Sequence, residues 1–174
     1  MGIYRSNSWF PDLSSNTLAV TQYFGHRRNS GTPFEYIELS HADIVVNYRD
    51  FTYVWDNLEN GNFGMYDLPS VLFHEMGHFL GLRHDNSKGS AVMKSTLTRF
   101  HRYRDLYASD EQALKSLYDD SGSQTIQSGL ISASEKEGEM VSGMLELRAD
   151  GTCQHYQNGE LIRTHKAQEN IYSN

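Results

Sequence analysis

Within HEMGHFLGLRHD, residues 74 to 85, three histidines, one glutamate and two glycines fall in twelve positions. On an α-helix His74 and His78, four residues apart, project from the same face, so both imidazoles reach one metal ion. Glu75 lies about 100° round the helix from His74, near enough to meet a water on that ion without being a ligand. Gly81 follows His78 by three positions, where a left-handed residue ends the helix and turns the chain back. His84 then approaches from the loop as a third nitrogen ligand. Three neutral imidazoles and one open position describe a catalytic zinc ion, because a structural zinc ion is normally closed by a fourth protein ligand. The competing reading is one polar face of an ordinary solvated helix. It accounts for His74 and His78, but it needs neither a turn-forming glycine nor a histidine beyond the helix end.

The elements that must hold these residues are legible from periodicity. TLAVTQYF (17–24), FEYIEL (34–39), ADIVVNY (42–48) and FTYVW (51–55) are rich in β-branched and aromatic residues and read as strands. Residues 1–16 read as an irregular leading segment and 56–64 as a loop. The period then changes from two to about 3.6. Asp67 as N-cap, Pro69 in the first turn and an apolar recurrence through Leu80 predict a helix over 68–80 that stops at Gly81. Residues 81–107 show little periodicity and read as a long functional loop. Ser109 with Gln112 fits a capping box, and Ala113, Leu114, Leu117 and Tyr118 form an apolar stripe, so a second helix is expected over 110–118. Asp-Gly and Asn-Gly turns divide 138–166 into a three-stranded meander.

Composition bounds the rest. The 174 residues suffice for one sizeable core. Fifteen Lys and Arg against 22 Asp and Glu give a net charge of −7, which argues against nucleic acid as a partner. No apolar run approaches the roughly 18 residues of a membrane span, and MGIYRSNSWF lacks the pattern of a signal peptide. Cys153 is the single cysteine, so no intramolecular disulfide forms. It reads as a packed strand thiol, with a thiolate reaching the metal from the C-terminal hairpins as the sharper alternative.

The HExxHxxGxxH pattern met by His74, Glu75, His78, Gly81 and His84, with Met93 in GSAVMKS nine residues later, resembles the metzincin metallopeptidases. HEMGHFLGLRHD is similar to the HExGHxLGLxH segment of matrixins and their small bacterial relatives, ADIVVNY to their ADI strand, and RDLYASDEQALKSLY to their closing helix. The likeness covers about residues 17–120. It implies an α+β, zincin-like catalytic domain: a twisted, mostly parallel sheet with an active-site helix and a C-terminal helix, followed here by a small antiparallel β meander. Residues 1–120 would form this domain, with the family's first strand and backing helix missing or truncated, and 121–174 a C-terminal β-hairpin extension.

The same resemblance implies a zinc-dependent endopeptidase with Glu75 as general base, His74, His78 and His84 as ligands of one catalytic Zn2+, Met93 as an apolar floor, and Gly81 and Asp85 in supporting roles. Zinc would lower the pKa of a water it binds, and Glu75 would take that water's proton and later deliver it to the leaving amine. Residue 85 is Asp where animal matrixins usually have Ser, and Lys94 and Ser95 follow Met93, so the tyrosine that astacin-like enzymes place there is absent. The stretch 48–68 is too short for a second structural zinc or calcium site. A protein or peptide substrate is expected, bound along a sheet edge within 50–66. Contact between 121–174 and the catalytic domain and an extracellular or cell-envelope location are also expected. The alternative is a catalytically weak or autoinhibited zinc-binding interaction module.

Overall fold

The computed structural model describes residues 1–32, 35–55, 64–85, 92–95, 97–99, 102–118 and 138–166. Eight strands and two helices are defined among them: β1 (Gly2–Ser6), β2 (Thr17–Arg28), β3 (Tyr36–Asn47), β4 (Tyr53–Val54), β5 (Tyr66–Asp67), α1 (Leu68–Phe79), α2 (Ala108–Leu117), β6 (Met140–Arg148), β7 (Thr152–Gln157) and β8 (Glu160–Lys166). None of the described helices is long and apolar enough to cross a membrane.

Six strands form one sheet in the order β1-β3-β2-β6-β7-β8, and β4 pairs with β5 separately. The expectation of a mostly parallel sheet is corrected. In the six-stranded sheet β1 and β3 are parallel, whereas β2 is antiparallel to both β3 and β6, and the pairs β6–β7 and β7–β8 are also antiparallel. The connection explains it: residues 29–35 are all that separate β2 from β3, and parallel neighbours need a crossover of about a dozen residues or more. The leading segment also departs from the irregular reading, since Gly2–Ser6 pairs in register with Asp43–Asn47. No helix is described before β2.

The two segments read separately as FEYIEL and ADIVVNY are one strand, β3, whose described part begins at Tyr36. Its register against β2 slips between Phe24 and Gly25, where Phe24 faces His41 and Gly25 faces Leu39. Ser40 is the extra residue of this bulge, and its hydroxyl donates to the Phe24 carbonyl at 3.0 Å. A side chain at Gly25 would collide with the Glu38 backbone, so the bulge requires glycine. The FTYVW strand shrinks to Tyr53–Val54, which pairs with the short β5. Of the loop over 56–64 only Gly64 is described.

One face of the sheet carries the main core, where Leu18, Ile44, Val46 and Leu147 pack with Val71 of α1 and Tyr66. β6 to β8 turn through Asp150-Gly151 and Asn158-Gly159, and Asn158, Gly159 and Gly151 all adopt positive φ (50°, 84° and 81°). Side chains two apart along a strand share a face. Cross-strand register therefore lines up Thr21, Leu145 and His155 in one row and Ala19, Leu147 and Cys153 in the next.

Candidate metal centre

α1 begins where the sequence indicates. The Asp67 carboxylate accepts from the Ser70 backbone N–H at 3.1 Å and the Ser70 hydroxyl at 2.6 Å, and proline lies in the first turn. It ends as indicated too. Gly81 takes φ +86°, and the N–H groups of Gly81 and Leu82 return to the carbonyls of His78 and Gly77 at 2.9 and 2.8 Å. This turn brings the loop back over the helix, so that residues ten positions apart meet.

His74, His78 and His84 come together. Their Nε2 atoms lie 3.0 Å (His74–His84), 3.1 Å (His74–His78) and 3.0 Å (His78–His84) apart. A tetrahedral zinc ion with bonds of about 2.0–2.1 Å needs ligand nitrogens roughly 3.3 Å apart, so this triangle fits with little adjustment. The His74 Nδ1–H donates to the Val92 carbonyl at 2.9 Å and the His78 Nδ1–H to the Leu82 carbonyl at 3.0 Å. Those bonds leave the Nε2 lone pairs of both rings aimed at a common point, where they repel unless a cation lies between them. Burial pushes the His74 imidazole down to about 4, so it is neutral at physiological pH and ready to bind. The three histidines could hold a metal ion.

Glu75 is fully buried on the neighbouring face of α1. Its Oε2 accepts from the Thr21 hydroxyl of β2, and its Oε1 meets no hydrogen-bond partner among the described residues. Burial, opposed by the Thr21 hydrogen bond, pushes the carboxyl up to about 8. Met93 is 2% exposed and packs with Leu82 and Val92, while its carbonyl accepts from the Asp85 N–H at 2.9 Å. Gly77 is fitted to Met93: a Cβ there would overlap the sulfur.

Several positioning residues escaped the sequence reading. Asp110, buried in the first turn of α2, accepts from the Tyr107 N–H at 3.1 Å and the Val92 N–H at 3.1 Å. It replaces the Ser109–Gln112 box as the cap of α2, because one carboxylate there serves two otherwise orphaned donors. It also fixes the residue whose carbonyl orients His74. An acidic residue early in a helix was the available sign, but its second partner was not. Arg104 is another such positioning residue: its Nε and Nη2 donate to the two Asp67 oxygens at 3.0 and 2.6 Å.

Strands β6 and β7 face the centre from the other side. The His155 ring centroid is 6.0 Å from that of His84 and 6.4 Å from that of His78. Cys153 is fully buried, and burial, reinforced by the nearby Glu75 and Glu146 carboxylates, pushes its thiol well up. A cavity of about 110 Å3 lies between the end of α1 and the sheet, reached by Thr21, Tyr23, Phe79, Leu145 and His155. That is well below the ~300–1,000 Å3 of pockets that hold drug-sized ligands.

Comparison with known proteins places the chain in a family. The matrixin model of the M10 peptidases matches residues 12–119, a segment containing α1, the three histidines and α2, and the chain belongs to the matrixin family. It is similar to metalloendoproteinase 1-MMP of Arabidopsis thaliana, at 34% identity over 115 residues, which are 62% of this chain and 31% of the plant protein. The chain thus spans about a third of the length of that relative. No solved structure matches it.

Proposed function

We propose that this chain is a zinc-dependent endopeptidase that hydrolyses internal peptide bonds of proteins, with Glu75 as general base. The observation that carries the reading is the convergence of the Nε2 atoms of His74, His78 and His84 to 3.0–3.1 Å within the matrixin-matched segment. These three residues would hold one zinc ion, which when bound supplies Lewis acidity towards a water and towards the substrate carbonyl. The Val92 and Leu82 carbonyls hold two of the rings in the ligating tautomer. Glu75 accepts a proton from the attacking water and later hands it to the leaving amine. Its raised carboxyl value supports that role, since a base poised near neutrality both takes up and releases the proton readily. Gly81 supplies the turn that presents His84, Met93 the apolar floor, and Asp85 a backbone tie to Met93.

Residues 1–120 are assigned to the catalytic unit and 121–174 to an appended β unit. Matrixin membership supports a protein or peptide substrate and a place outside the cell or in its envelope.

The test is incubation of the purified chain, with its zinc content measured, on casein or a peptide library beside Glu75→Ala. The wild type should carry zinc and cleave, and Glu75→Ala should keep the zinc while losing cleavage by roughly 10²–10⁴-fold. Equal cleavage by both proteins, or a wild type that takes up no zinc, sinks the reading.

A further inference from the structure

A second group of ligand-type side chains overlaps the histidine triad at His84, and its other two members play no part in the proposed hydrolysis. His84, Cys153 and His155 each present a nitrogen or sulfur, and these atoms lie within 4.8 Å of one another. Cys153 and His155 are alternate residues of β7, so the strand's two-residue period throws both towards α1, while Gln154 between them and Tyr156 beyond face away and bond each other at 2.6 Å. Leu147 and Leu145 of β6 stand opposite Cys153 and His155 in the ladder, which fixes the height of both along the sheet. His84 reaches the same place from the loop after α1, and its ring lies 6.0 Å from that of His155.

We propose that His84, Cys153 and His155 form a second metal-binding position, taking a borderline-soft divalent ion of the zinc class and sharing His84 with the histidine triad. One sulfur and two nitrogens are the donor set that favours such an ion over magnesium or calcium, which take oxygen ligands. Ligand atoms round a tetrahedral zinc ion stand roughly 3.3–3.8 Å apart, so closing the group needs shifts of about 1 Å. Binding displaces the thiol proton to solvent, as metal coordination of cysteine does. Such an ion would tie the C-terminal strands to the loop that carries His84, and it would compete with the triad for that ring. The inference shares His84 with the proposed peptidase but needs neither Glu75 nor cleavage.

Cobalt(II) titration of the whole chain, followed by absorption spectroscopy, tests it, because a thiolate ligand gives a sulfur-to-cobalt charge-transfer band in the near ultraviolet that histidine ligands do not. The wild type at two equivalents should show this band, Cys153→Ser should lose it, and His74→Ala/His78→Ala, which dismantles the triad, should keep it. His155→Gln leaves the triad intact and should weaken the thiolate-bound ion at least tenfold, with circular dichroism confirming the fold. No thiolate band in the wild type overturns the proposal. So does a band that persists unchanged in His155→Gln, which would make the thiolate a ligand of the triad's own ion. Failure of the peptidase reading is seen separately, as absent cleavage.

Discussion

At the scale of single residues, the centre depends on contacts that no motif announces. Gly77 directly precedes His78 in α1, and a Cβ there would overlap the Met93 sulfur. Alanine normally gains about 1 kcal/mol over glycine within a helix, but overpacking a filled core costs about 1–3 kcal/mol. Gly77→Ala is therefore expected to destabilise the chain by up to about 2 kcal/mol in urea unfolding and to weaken zinc binding by displacing Met93. Thr21 is the one described residue whose hydrogen bond reaches the Glu75 carboxylate. Thr21→Val should cost about 1–3 kcal/mol, the penalty for stranding a buried polar group, and Thr21→Ser should recover most of it in the same measurement. The triad was legible in the sequence because helix geometry fixes the four-residue spacing of His74 and His78, and Gly81 marks the turn that returns His84. Thr21 stands 54 positions from Glu75 on a strand with no signature, so only the pairing of sheet and helix reveals it.

At the scale of elements, α1 is pinned at its start by a charged network. Asp67 is 2% exposed and holds Ser70 and Arg104 together. Burial raises its carboxyl, but the hydrogen bonds from Arg104 and Ser70 outweigh that and hold it below the usual carboxylate range. A depressed folded-state value means that the stabilisation is complete above the unfolded value of about 3.9 and is lost as pH falls through the folded one. Asp67→Asn should then cost about 2–4 kcal/mol at pH 7, and its difference from the wild type should shrink below about pH 4 in parallel urea titrations. A difference that stays constant to pH 2 would refute this account. The cap and both ends of α1 followed from Asp67, Pro69 and Gly81, since caps are local chemistry. The direction of the sheet did not, because strand pairing depends on partners distant in sequence and on how many residues connect them.

At the scale of the whole molecule, helix, loop and sheet meet at the three histidines, so an ion there should stabilise everything around it. At a thousandfold excess over Kd, binding adds about 4 kcal/mol, and chelation should lower Tm by roughly 8–16 °C for a chain of this size. Calorimetry with and without a chelator reads this directly. A chain ended at residue 120 would lose β6 and leave the edge of β2 bare, with Leu147 gone from the core. It is expected to aggregate on purification, and a soluble, cooperatively unfolding product would contradict that. The same pairing has a consequence during synthesis. Thr21 of β2 pairs with Leu145 of β6, so at about 5–20 residues per second the ribosome delivers the partner roughly 6–25 s after β2 emerges. For that interval the nascent chain carries an uncovered apolar strand, and for about the last half of it the three histidines as well, a period in which a chaperone has the most to protect.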